Sequence, residues 1–135
     1  MEGLWYNNDE QTQIRKLVKN MINKNLIING QRITKEEDIT AFFQKDHFSC
    51  NINDYCLEVE FSPDGNAFIG WLNGDEEICY FDNGSGNTDS VALRINICPE
   101  ERMMCYDPTA LKEIVLYFCE SGQRNPRYHW IQDDL

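Results

Sequence analysis

A chain of 135 residues, 41% of them apolar, is long enough for one domain with a real core, and its 23 acidic against 12 basic side chains give a formal net charge of −11. That field opposes binding to nucleic acid or to an anionic membrane surface, both of which are held through Lys and Arg near phosphates, and it favours a basic partner. No segment reaches the roughly 18 apolar residues of a membrane span, Met1 to Asn8 lacks a basic stretch followed by an apolar run, and six cysteines without an export signal are expected to be reduced thiols, so a cytoplasmic protein is expected.

Charge is unevenly spread: residues 1 to 35 sum to +3 and residues 36 to 135 to −14. The amino-terminal part opens with Gly3-Leu4-Trp5-Tyr6, an edge strand or a plug against the core. Asp9 then stands as the N-cap of a helix over residues 10 to 24, with Ile14, Leu17, Val18, Met21 and Ile22 along one face and Arg15, Lys16 and Lys19 opposite. Leu26-Ile27-Ile28, Asn29-Gly30 and Gln31-Arg32-Ile33 form a hairpin, because Asn-Gly suits a type I′ turn. Thr34 with Glu37 three residues later reads as a capping box for a second helix to about Lys45, striped by Ile39, Phe42 and Phe43. Residues 46 to 54, polar apart from Phe48 and Ile52, read as a loop.

The centre of the chain is an antiparallel meander over residues 55 to 81. Tyr55, Leu57, Val59 and Phe61 alternate with Cys56, Glu58 and Glu60, so one face is apolar and the other carries carboxylates. Ser62-Pro63-Asp64-Gly65 makes the first turn and Asn73-Gly74 the second, and the middle run Ala67 to Leu72 is apolar on both faces, with Trp71 as its largest packing element. Asp82 to Ser90 reads as a mobile connecting loop. It lacks the glycine-lysine pattern of a phosphate loop and the ligand order of a calcium-binding EF-hand, although Asp82, Asn83, Asn87 and Asp89 are oxygen donors. Val91 to Ile97 alternates as a half-buried strand, Arg102 to Tyr106 as a short returning strand. Asp107-Pro108 starts the last helix, Gly122 ends it, and Arg127 to Ile131 forms a final strand.

Catalytic chemistry finds little support. His47 and His129 are the two histidines, and no nucleophile sits on a Gly-x-Ser-x-Gly elbow. Cysteine spacing offers no metal knuckle, and no metal or other cofactor is expected. Trp71 and Trp130 lie among carboxylates rather than the Lys and Arg of a base-stacking platform, so core packing accounts for both.

The carboxyl-terminal residues Asp107-Pro108, Leu111, Ile114, Phe118, Ser121-Gly122, Pro126 and Trp130, with Asp64-Gly65, Ala67 and Gly70-Trp71-Leu72 upstream, resemble the Imm1-type immunity proteins of bacterial polymorphic toxin and contact-dependent inhibition systems. The resemblance covers residues 55 to 131 and singles out Gly70, Trp71, Gly122, Pro126 and Trp130 as structural positions. It implies a non-enzymatic cytoplasmic antitoxin whose partner is a basic toxin domain, a deaminase or nuclease acting on nucleic acid, with no direct nucleic-acid or membrane contact. The expected fold is α+β: a single domain with a mostly antiparallel sheet of about six strands and about three helices packed mainly on one face. Glu58, Glu60, Asp75, Glu76, Glu77, Asp82 and Asp89 are the expected toxin-facing carboxylates, clustered on the exposed face and turns of the meander. A generic acidic adaptor for a basic protein and a small Cys- or His-dependent enzyme remain as alternatives.

Overall fold

A computed structural model describes residues 22–95 and 98–133. The expected opening strand, the helix over residues 10 to 21 and its basic face of Arg15, Lys16 and Lys19 lie outside the described residues. Residues 22 to 25 are not helical, and Ile22 packs against the core while the Asn23 amide donates to the Cys119 carbonyl at 2.9 Å.

The chain builds β1 (Ile27–Ile28), β2 (Gln31–Arg32), α1 (Glu36–Thr40) continued by a 3-10 turn (Ala41–Gln44), β3 (His47–Ile52), β4 (Tyr55–Phe61), β5 (Ala67–Asn73), β6 (Glu77–Asp82), β7 (Met104–Cys105), α2 (Pro108–Ser121) and β8 (His129–Asp133). The main sheet order is β2-β1-β3-β4-β5-β6-β8, every described pairing is antiparallel, and β7 adds to β5. The α+β class and the antiparallel sheet agree with expectation. Among the described residues there are eight strands rather than six, three of them only two residues long, and two α-helices.

Turn chemistry sets the register. Asn29 and Gly30 take φ of 48° and 82°, the pair of left-handed positions that a type I′ turn needs. Gly65 donates to the Ser62 carbonyl at 2.9 Å, which closes the Pro63-Asp64 turn. The second meander turn spans residues 74 to 76, with Gly74 at φ 52°.

Four expectations need correction. Residues 47 to 52 are strand β3, not loop: Phe48, Cys50 and Ile52 are buried in alternation with His47, Ser49 and Asn51, and Asn53 at φ 55° turns the chain into β4. Buried Cys50, not counted with Phe48 and Ile52 in the loop reading, is the apolar residue that completes the two-residue alternation of a strand with one buried face. Thr34 does not cap α1; Lys35 is the N-cap, without a side-chain hydrogen bond. Residues 91 to 95 form no strand. They cross one end of the sheet, where Leu93 is buried, Arg94 donates its amide to Phe61 and its Nε to the Ser62 carbonyl, and Ser90 bridges to Glu100. Alternating burial thus arises from a loop lying on the sheet end rather than from a ladder. Arg102 and Met103 likewise belong to a 3-10 turn, leaving only the two residues of β7 as strand.

The main core lies between one sheet face and α2 with the α1 segment. Leu57, Val59, Ile69, Trp71 and Phe81 meet Ala110, Leu111, Ile114, Val115, Phe118 and Cys119 there. Asp107 caps α2 by accepting from the Thr109 amide, Pro108 occupies its first turn, and Gly122 ends it at φ 76°. A Cβ at Gly122 would stand 3.4 Å from Tyr55, so this glycine serves both the left-handed turn and a close approach. Among the described residues, the other sheet face is covered at one end, by a smaller cluster of Phe68, Leu93 and Met104 with Val91, Met103 and Tyr80 beside it.

Candidate protein-binding surface

The register of β3 to β6 and β8 places His47, Ser49, Cys56, Glu58, Glu60, Gly70, Tyr80, Asp82, His129 and Asp133 on the face away from α2. Glu58 lies opposite both Ser49 and Gly70, and Glu60 lies opposite both His47 and Phe68. The meander therefore brings Glu58 to the middle of this face and Glu60 toward one end of it, both on one side of β4 as its alternation predicts.

Their environments differ. Glu58 is half-buried; its Oε2 accepts from the Ser49 hydroxyl and its Oε1 from the Cys56 thiol at 3.4 Å. Burial, then repulsion from Glu58, pushes the Cys56 thiol up to about 12, so it stays a donor. Glu60 is only 8% exposed, and its Oε2 is sealed from solvent without a hydrogen-bond partner. Burial first, and Glu58 second, push its carboxyl above the ordinary range, with His47 opposing them.

Glu60 thus binds its proton more tightly in the folded chain than in the unfolded one. Its contribution is favourable below the unfolded carboxyl range and is lost as pH rises through the raised folded value. Glu60→Gln is expected to match the parent protein in urea midpoint near pH 4 and to exceed it near neutrality. A midpoint difference that stays flat or grows toward low pH would contradict this.

The other expected residues do not join this pair in one patch. Asp75 and Glu76 occupy the exposed β5–β6 turn, and Asp82 and Asp89 lie toward the opposite end of the sheet. Asp82 accepts from the Gly84 amide and the Asp89 amide donates to Asn87, while Asn83 binds the carbonyls of Glu101 and Met104. The stretch after β6 is therefore a hydrogen-bonded loop, not a featureless connection, and no group of three metal-ligating side chains occurs among the described residues. Glu77 is a correction: it sits on the α2 side of the sheet, where it pairs with Arg124 at 3.6 Å, so it is not on the exposed face with Glu58.

The five structural positions divide between core and link. Gly70 is buried in β5 beneath the Tyr80 ring, and Trp71 fills the core. Trp130 packs edge-on against Phe81 at 6.3 Å and donates to the Asn125 carbonyl, while Pro126 is exposed in the α2–β8 link. His47 and His129 are exposed and make no hydrogen bond to a described thiol or carboxylate. His129 shares a recess of about 370 Å³ with Cys105, but that thiol is buried, raised by desolvation and bonded to the Asp107 carbonyl. Cys50, Cys79 and Cys119 are also buried free thiols, whereas Cys98 is exposed.

Sequence reasoning did not distinguish Glu60 from its neighbours. Its place opposite Phe68, under the end of the sheet that the smaller cluster covers, depends on pairings remote in the chain. No helix among the described residues is long and apolar enough to cross a membrane. Comparison with protein-family models, curated proteins and solved structures finds no match in any of the three.

Proposed function

We propose that this chain is an immunity protein that neutralises a toxin domain acting on nucleic acid, a deaminase or nuclease, by covering its basic surface. One observation carries the reading: Glu58, Glu60, Asp75, Glu76, Asp82 and Asp89 have no ion-pair partner among the described residues, and Glu58 and Glu60 stand side by side on the sheet face away from α2. Enzymes that act on nucleic acid need Lys and Arg near phosphates, and an acidic inhibitor both fits that surface and is steered toward it. The cytoplasmic location and the family resemblance belong to the same proposal.

Co-expression with the carboxyl-terminal domain encoded immediately upstream tests it: growth rescue and co-purification are expected, and failure of both would overturn it. Within that pair, Glu58→Gln with Glu60→Gln is expected to weaken binding about tenfold or more, mostly through faster dissociation, because these groups lie inside the interface. Asp75→Asn with Glu76→Gln is expected to slow association about two- to fivefold at low salt, an effect lost at high salt. Equal affinity for all three proteins would remove this face from the interface. Glu77 is left out because its loss would also break the Arg124 pair.

A further inference from the structure

Glu60 presents an arrangement that the fold itself does not use. No described residue donates to either of its carboxylate oxygens, and Oε2 is sealed from water, although the side chain lies on the same face as half-buried Glu58 and exposed His47. A buried carboxylate without a donor is costly, and a cation brought from outside relieves both that cost and the repulsion from Glu58. Beside the pair, Gly70 puts no side chain between Glu58 and Tyr80. The Tyr80 ring lies 3.5 Å from where a Gly70 Cβ would stand and is stacked on Phe68 at a centroid distance of 5.4 Å.

We propose that Glu58 and Glu60, bordered by the half-buried ring of Tyr80, form a seat for a guanidinium group, filled by an arginine side chain of the basic partner. Guanidinium fits better than ammonium for three reasons: its fork of N–H donors can serve two carboxylates at once, it is weakly hydrated and so enters a partly dry site at lower cost, and its plane packs on an aromatic ring. The divalent-cation alternative lacks a third ligating side chain among the described residues. Of the two Glu60 oxygens only Oε2 is sealed; Oε1, also without a donor among the described residues, is the one open to an incoming group on the side of Glu58 and His47. The identity of the occupant rests on the proposed antitoxin role; the seat itself can be tested without a toxin.

The full chain, labelled with ¹³C at the glutamate carboxyls, is titrated with Nα-acetylarginine amide, with its neutral isostere Nα-acetylcitrulline amide and with Nα-acetyllysine amide at constant ionic strength. A saturable shift of the Glu60 and Glu58 carboxyl signals is expected with the arginine compound, with a midpoint at least about tenfold below that of the citrulline compound and below that of the lysine compound. In Glu60→Gln, a conservative change that removes a buried charge, the saturable shift at Glu58 and at the Tyr80 ring is expected to disappear. Equal responses to arginine and lysine, a linear response without saturation, or an unchanged Tyr80 response in Glu60→Gln would each overturn the seat. Saturation with arginine together with failure of both growth rescue and toxin co-purification would leave the seat standing and discard the antitoxin reading.

Discussion

Trp71→Ala is expected to lower unfolding free energy by about 3–5 kcal/mol, a large fraction of the roughly 5–15 kcal/mol by which a domain of this kind is stable. The indole is 2% exposed, stacks on Tyr55 at 5.8 Å and carries the Arg124 guanidinium 4.6 Å from the ring centre. Its Nε1 donates to the Gly122 carbonyl at 3.0 Å, at the end of α2. The residue therefore ties the central strand, the helix terminus and the link that leads into β8. Trp71→Phe separates the contributions, because it keeps most of the packing but loses the hydrogen bond and weakens the cation contact; a cost of about 1–2 kcal/mol is expected. Urea unfolding followed by far-ultraviolet circular dichroism would measure both. A loss below about 1 kcal/mol for the alanine variant would mean that the core closes without this residue.

Phe48→Ala is expected to cost about 3–5 kcal/mol for a different reason. The side chain is fully buried, and its ring lies 6.2 Å from Phe42, 5.6 Å from Phe43 and 6.2 Å from Phe61. Truncation would open a cavity where α1, its 3-10 extension and strand β3 meet. Were residues 46 to 54 a surface loop, the same change would cost within about 0.5 kcal/mol, as surface substitutions usually do. The urea midpoint thus tests the strand directly, and amide exchange at Cys50 and Ile52 gives a second reading, since both amides belong to a central β3–β4 ladder.

Sequence patterns were reliable where a local rule had no competitor. Asn29-Gly30, Pro63 to Gly65 and Gly122 each impose a backbone geometry that their neighbours cannot override, and the hairpin, the first meander turn and the end of α2 fall where those residues stand. Alternation alone was less informative. In residues 47 to 52 it depends on counting Cys50 as apolar between Phe48 and Ile52, and in residues 91 to 95 it comes from a loop draped over a sheet end.

By itself, then, the sequence determined the acidic excess, the antiparallel meander with Glu58 and Glu60 on one side of β4, and the helix from Asp107 to Gly122, because charge, two-residue periodicity and capping are local properties. Tertiary structure decided which of those carboxylates are alike. Cross-strand pairing gave Glu58 the hydroxyl of Ser49, set Glu60 opposite Phe68 without a donor, and turned Glu77 to the far face against Arg124. A carboxylate's energy depends on the groups around it, and here those groups come from strands and links distant in the chain.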